Sequence, residues 1–316
     1  MSLIDKIAAA GVVGAGGAGF PTHVKYNCEA EYLIINGAEC EPYLTVDQRL
    51  MVENFEEILE GMKLLMKAVE VEKGIIAIED NKPEAISIMR NVVEKENNIE
   101  VKVFETKYPQ GGEKMLIKAA LDREVPAGGF PLDMGLVVNN VSTALAVKQA
   151  VKDGIPLIKR SLTITGEGIA EPGNFIVPIG TPFRNVIEEA GGLAGNAGKV
   201  IAGGPMMGVA QQSLEVPVVK GTSGILVLTQ AQAEDFSPSS CINCARCVDS
   251  CPMGLVPTRL VDFVKNEMYE EAEKYQIENC CECGCCAYVC PSNIPLFHYI
   301  QIGKAELAAR KRDNNE

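Results

Sequence analysis

The C-terminal quarter of the chain carries Cys241-x2-Cys244-x2-Cys247-x3-Cys251-Pro252 and then repeats the spacing as Cys280-x2-Cys283-x2-Cys286-x3-Cys290-Pro291. This doubled run limits the possible folds more than any other feature. A [4Fe-4S] cube needs four thiolates around it. The two-residue gaps let one turn of chain present three sulfurs before a more distant fourth closes the site. In two-cluster ferredoxins that fourth sulfur belongs to the other cube. Cys241, Cys244, Cys247 and Cys290 are therefore expected to hold one cluster, and Cys280, Cys283, Cys286 and Cys251 the second. Paired zinc sites of the C-x2-C kind lack the third cysteine and the proline, and disulfide frameworks belong to short secreted chains. The expected chemistry is the movement of single electrons. Of the twelve cysteines, Cys28, Cys40, Cys281 and Cys285 fall outside the register and are read as small packing groups, without iron.

With 316 residues, 47% of them hydrophobic, the chain is long enough for two or three domains with real cores. Its 42 acidic and 29 basic residues give a net charge of -13. That balance disfavours a nucleic-acid partner, whose phosphates demand basic grooves. The N-terminus mixes Asp5 and Lys6 with alanines and lacks the features of a signal peptide. No stretch reaches the roughly 18 to 20 apolar residues of a spanning helix. The expected location is the cytoplasm, either free or peripheral at the inner face of the cell membrane. The basic Arg310-Lys311-Arg312 stretch ends a predicted helix, where cations complement the macrodipole.

Residues 1 to about 155 alternate apolar strand-like runs with amphipathic ones, which predicts an α/β layer architecture. Strands are expected at Tyr32 to Ile35, Gly74 to Ile78, Val101 to Phe104 and Leu136 to Val138. Helices are expected over Phe55 to Val69, Pro83 to Glu94 and Val141 to Asp153, the last stopped by Gly154. The pattern changes near Lys159. There Ser161 to Thr165, a Gly166-Glu-Gly168 turn and Phe175 to Val177 predict a hairpin, and Pro182 opens a helix that ends at Gly191-Gly192. Gly203 to Asp235 is expected to wrap back over the first domain. The Phe236-Ser-Pro-Ser-Ser240 linker then leads to the clusters. Pro257 to Tyr275 and Pro295 to Arg310 are predicted helices. The domains read as 1–158, 159–235 and 236–316.

Gly14-Ala-Gly16-Gly-Ala-Gly19 satisfies G-x-G-x-x-G, with Glu39 and Glu41 about 20 residues on. A dinucleotide fingerprint must follow a strand and open a helix. Here an alanine-rich helical stretch precedes it and Phe20-Pro21 breaks the continuation. The loop is read instead as a close-approach site for a phosphate, a nucleotide or a flavin.

The wider segment Gly14-Ala-Gly-Gly-Ala-Gly-Phe-Pro-Thr-His-Val-Lys25 resembles the NADH and flavin loop of complex I's NADH-oxidising subunit. Three further stretches agree in order: Asn36-Gly-Ala-Glu39-Cys-Glu41-Pro42, Tyr108-Pro-Gln-Gly111-Gly112-Glu113 and Val138-Asn139-Asn140-Val-Ser-Thr143. The chain most resembles the C subunit of the Rnf electron-transport complex, which shares these motifs, Gly203-Gly-Pro-Met-Met-Gly208 and both cysteine runs. The resemblance implies an α/β flavin-binding domain, then a small β-grasp (SLBB-type) module, then a mainly α-helical two-cluster ferredoxin domain. It also implies that Gly14, Gly16, Lys25, Asn36, Glu39, Tyr108, Gly111, Asn139, Asn140 and Thr143 hold FMN. Phe20, Glu41 and Glu113 would face the nicotinamide nucleotide. Ala38 and Gly112 depart from complex I, which has acidic residues there.

The implied function is an NADH-dependent oxidoreductase subunit. It would pass electrons between NAD(H) and a redox partner through FMN and two [4Fe-4S] clusters. The partner would be another redox subunit, a ferredoxin or a flavoprotein acceptor. Two alternatives stand beside it. Microcompartment cobalamin reductases share the loop, and a relay subunit without nucleotide binding would keep only the clusters. His23 is read as part of the flavin loop and His298 as helix surface.

Overall fold

A computed structural model describes residues 2–17, 19–26, 29–234 and 237–313. The chain forms two compact units. One comprises Met1–Val125 with Phe130–Ala233; the other comprises Pro126–Gly129 with Glu234–Glu316. Cys28, expected to pack as a small apolar group, and Phe236, expected to open the linker, lie outside the described residues.

The first unit opens with α1 (Leu3–Ala9), which Ser2 and Asp5 close in a capping box, and α2 (Thr22–Lys25). Strand β1 (Tyr32–Gly37) follows. Next come α3 (Val46–Glu53), α4 (Phe55–Ala68), β2 (Lys73–Glu79), α5 (Pro83–Val93) and β3 (Ile99–Phe104). The segment ends with α6 (Glu113–Leu121), β4 (Leu136–Asn140) and α7 (Val141–Lys148), the last continuing as one π-helical turn that Gly154 ends in the left-handed region. The four strands pair in parallel in the order β3-β2-β1-β4. Parallel strands are covered on both faces, so they read as continuous apolar runs. The alternation is still visible in the packing. Leu33, Ile35, Ile76, Ile78 and Val137 join the core beneath α4, α5 and α7. Ile34, Ile75, Ala77, Leu136 and Val138 join Leu116, Ile117 and Ala120 of α6 on the other face.

The order of the strands positions the site. From β1 the chain moves to β2 and β3 on one side, then crosses back to set β4 on the other side of β1. The loops after β1 and β4 therefore diverge at a topological switch point, and ligands in open α/β sheets bind outside the carboxyl ends of the strands at such a point.

The remainder of this unit is a five-stranded mixed sheet of order β6-β5-β9-β7-β8 with one helix. Its parts are β5 (Lys159–Thr165), β6 (Gly173–Pro178), α8 (Phe183–Glu189), β7 (Ala197–Ala202), β8 (Val209–Gln211) and β9 (Gly224–Thr229). The expected hairpin is present, with β5 and β6 antiparallel. The 203–235 segment does more than wrap back: β9 is the central strand, its Ile225 and Val227 buried in the core beneath α8. Glycine and proline around a short apolar run hid it.

The second unit is helical: α9 (Arg246–Asp249), α10 (Pro257–Lys265), α11 (Tyr269–Lys274), α12 (Cys285–Tyr288) and α13 (Leu296–Asp313). The single helix expected over 257–275 is two, parted by Glu267 at φ +56°. One core joins Leu260, Val261, Val264, Ala272, Ile277, Ile300 and Leu307 with the thiols of Cys247 and Cys286. Among the described residues, no helix is long and apolar enough to cross a membrane.

Candidate functional site

The two cysteine runs fold alike. In each, the residue two positions after the first cysteine has positive φ (Asn243 +54°, Glu282 +58°), as does the residue that caps the short helix (Ala245 +61°, Gly284 +76°). In each, the backbone N–H of that first turn meets the first cysteine's sulfur: Asn243 N to Cys241 Sγ and Glu282 N to Cys280 Sγ, both 3.4 Å. Such N–H···S contacts stabilise thiolate and tune cluster potential.

A small cavity lies among Cys241, Cys244 and Cys247 of the first run and Cys290 of the second, with Thr258 and Ile294 in its wall. The Cys251 sulfur lies close enough to Cys280 and Cys286 to add electrostatically to the rise that burial imposes on both thiols, and Cys283 interacts with the same pair. Each run therefore lends its last cysteine to the other group. Among the described residues no three His, Cys, Asp or Glu side chains converge tightly enough to hold a single ion. Thiolates around a cube stand farther apart, and this all-sulfur donor set fits iron–sulfur clusters. The environments differ. Cys241 and Cys244 are exposed, whereas Cys283 and Cys286 are buried. Burial pushes the Cys286 thiol up to about 12, while a hydrogen bond with the Cys281 thiol is the first cause holding Cys283 down to about 6. Cys281 and Cys285 thus flank the second group as partly buried neighbours. Lys304 donates to the Cys280 carbonyl at 3.0 Å and pairs with Glu282.

The flavin-side residues converge at the switch point. Val13 and Pro21 form an antiparallel bridge, and Gly14 N–H donates to Phe20 O at 2.9 Å, so the glycine segment is a closed loop between α1 and α2, not a strand-to-helix turn. Thr143 Oγ1, buried in α7, accepts from Ala15 N–H at 2.9 Å. Gly16, at φ +71°, lies so that a Cβ would sit 3.2 Å from Asn140 Nδ2. Asn140 caps α7 through Ser142 N–H (2.8 Å) and donates to Asp47 at 2.6 Å. Asn139 is buried and donates to the Tyr26 hydroxyl. Lys25 Nζ donates to Glu113 Oε1 (2.8 Å) and Val138 O (2.6 Å). Asn36 Nδ2 donates to Gly111 O at 2.9 Å, and Gly111 N–H reaches Cys40 Sγ at 3.2 Å. A Cβ at Gly111 would run into the Ala38 carbonyl oxygen, so that approach requires glycine. Phe20 is half exposed, His23 is partly buried in α2, and His298 is exposed on α13.

Glu39 accepts from Asp47 N–H (2.8 Å) and Gln48 N–H (3.1 Å) at the start of α3. Burial, then the Asp47 carboxylate, pushes its carboxyl up to about 8, and Lys82 opposes this. Glu41 Oε1 accepts from Met206 N–H (2.7 Å) and Met207 N–H (3.2 Å), and its carboxylate also bonds the Tyr108 hydroxyl. Asp47, Lys82, Arg160 and the Met206–Met207 backbone were not foreseen from sequence. Asp47 would read as an ordinary acid in a helix's first turn, and backbone donors leave no sequence signal.

A phosphate-bearing flavin fits this region. A Cβ at Gly17 would meet nothing within 4 Å, so packing does not demand glycine there, and the loop backbone lies open to a ligand. Two buried polar atoms in the surrounding segments, Thr22 Oγ1 and Gln110 Nε2, have no partner among the described residues.

Comparison with known proteins agrees segment by segment. Residues 7–149 match the Nuo51 FMN-binding domain, residues 161–210 the SLBB domain, and residues 240–294 the 4Fe-4S dicluster domain. The C subunit of the Na+-translocating ferredoxin:NAD+ oxidoreductase complex of Acetobacterium woodii is 47% identical over 310 residues, 97% of this chain and 70% of the relative. The C subunit of the proton-translocating ferredoxin:NAD+ oxidoreductase complex of Clostridium ljungdahlii is 48% identical, over 96% of this chain and 67% of the relative. Its counterpart in the ion-translocating oxidoreductase complex of Rhodobacter capsulatus is 47% identical, over 97% and 60%. The chain thus spans about two thirds of the length of these relatives. An NAD+-reducing [NiFe]-hydrogenase in its H2-reduced state shares the fold at TM-score 0.65 and 20% identity, over 97% of this chain and 60% of that one. Its air-oxidised state gives 0.60 and 21%, over 87% and 53%. The chain belongs to the family of Rnf-complex C subunits and is an electron-transfer iron–sulfur flavoprotein.

Proposed function

We propose that this chain exchanges electrons with NAD(H) at an FMN held between the glycine loop and the ends of β1 and β4, and relays them singly through two [4Fe-4S] clusters to a redox partner. The observation that carries this reading is the convergence of four sequence-distant segments on the switch point: Ala15 on Thr143, Gly16 on Asn140, Lys25 on Glu113 and Asn36 on Gly111. When bound, a flavin supplies the conversion of two-electron to one-electron transfer. The protein binds and orients. Gly16, Gly17 and Lys25 present backbone and charge to a phosphate, while Asn36 and Asn140 present amides to the ribityl and ring polar atoms. Asn139 and Thr143, buried and bonded within the protein, hold the loops that make those contacts. Glu41, Glu113 and Phe20 edge the half-site assigned to the nucleotide. The cluster ligands are Cys241, Cys244, Cys247 and Cys290 for one cube, and Cys280, Cys283, Cys286 and Cys251 for the other.

The functional modules are 1–158, 159–235 and 236–316. The acceptor is another redox subunit of an ion-translocating complex, as the relatives' names suggest, with this chain on the cytoplasmic side. Anaerobic titration of the reconstituted protein with NADH, following flavin absorbance and cluster EPR together, tests the proposal. Flavin bleaching with two reduced-cluster signals is expected. Clusters that dithionite reduces but NADH does not would replace this reading with a relay lacking nucleotide binding.

A further inference from the structure

The Gly203–Gly208 turn joins β7 to β8 and is held on the β-grasp sheet by Gly203 N–H to Gly224 O (2.8 Å) and Gly208 N–H to Gly204 O (3.0 Å). Its Met206 and Met207 N–H groups both end on Glu41 Oε1, at 2.7 and 3.2 Å. The fit is shaped for this carboxylate, because a Cβ at Gly204 would strike Glu41 Cγ and Oε1. The rest of the same loop is fastened to the same sheet. Thr45 N–H donates to Thr163 Oγ1 at 3.1 Å, Thr45 Oγ1 bonds Asn174, and Asp47 faces the buried Arg160 of β5. Three donors on Glu41, counting Tyr108, leave about one of a carboxylate's four acceptor positions for a ligand. That direction is set by the β-grasp turn.

We propose that the Gly203–Gly208 turn is a positioning element of the nicotinamide-nucleotide site, acting through Glu41, so that the β-grasp module forms part of the redox site. This rests on the nucleotide role assigned to Glu41 above. Oriented donors fix a carboxylate at little entropic cost on binding, whereas a free glutamate would have to be ordered by the ligand itself.

The test is calorimetric titration of the full, cofactor-loaded chain with NAD+, using Gly204→Ala, Glu41→Ala and the double variant. Gly204→Ala is expected to weaken NAD+ binding roughly tenfold, with FMN content and the EPR of dithionite-reduced clusters unchanged. The double variant should bind no more weakly than Glu41→Ala, because the turn acts only through that side chain. Parent-like affinity in Gly204→Ala, or losses that add in the double variant, overturns the proposal. Absence of NAD+ binding by the parent instead removes the nucleotide reading beneath it. Should Gly204→Ala fail to fold, amide exchange decides: Glu41→Ala is expected to speed exchange at Met206 and Met207, and unchanged exchange refutes the clasp.

Discussion

The flavin side and the cluster side build their sites in opposite ways. On the cluster side, two runs of eleven residues each carry three sulfurs and the positive-φ residues that turn them inward, and only the last cysteine of each run must be found at long range. On the flavin side almost no contact is local: Ala15 meets Thr143 across 128 positions, Lys25 meets Glu113 across 88, and Glu41 meets Met206 across 165. A repeated local motif tolerates changes around it. A site assembled from distant loops depends on every layer of packing beneath it.

The sharpest way to break this contrast is at the crossing cysteines. Cys290→Ser is expected to abolish the EPR signal of the first cluster, that of Cys241, Cys244 and Cys247, and to reduce iron from about eight to about four atoms per chain. Loss of the second cluster's signal instead would mean that the runs do not exchange ligands. Gly111→Ala comes next. Its methyl would meet the Ala38 carbonyl, and overpacking of this kind costs about 1–3 kcal/mol. Calorimetry should show the flavin unit melting earlier and FMN content falling, with iron content unchanged. Equal damage to both units would erase the distinction.

A smaller effect concerns pH. Glu39 has its carboxyl raised from 4.5 to about 8. A raised folded value means that the native state binds the proton more tightly, so this group's contribution is full below about 4.5 and is lost as pH climbs to about 8. The melting temperature of the flavin unit should therefore fall as pH rises between those limits, and Glu39→Gln should flatten the curve. A slope that survives in the variant would assign the titration elsewhere. Least in size is the effect of Lys304, whose ammonium lies beside Cys280 and opposes the rise that burial imposes on that thiol. Removing a cation disfavours the more negative, reduced cluster, so Lys304→Gln should lower the second cluster's midpoint by on the order of tens of millivolts. Equal shifts in both clusters would remove the asymmetry between exposed Cys241 and buried Cys283.

Much of the architecture was legible because its signals are local. The four parallel strands appear as apolar runs, Gly154 does end the π-helical turn after α7, and the cysteine spacing states its own chemistry. Helix α13 and the β5–β6 hairpin were readable for the same reason. The break between α10 and α11 was missed because Glu267 adopts positive φ without a glycine to announce it. Strand β9 was missed because a short central strand amid glycine and proline has no periodicity to display.

The sequence by itself determined the candidate donors: eight cysteines in register, a glycine loop with no strand before it, and the acids and amides of three later motifs. Only the tertiary structure decided which of them meet. It set Asn140 on Asp47 and fastened Glu41 to backbone N–H groups of the β-grasp turn. It also buried Glu39 beside Asp47, against Lys82. The reason is physical: hydrogen bonds to main-chain groups and the desolvation of charge depend on the path of the backbone and on what excludes water, and neither is written in the identity of any one residue.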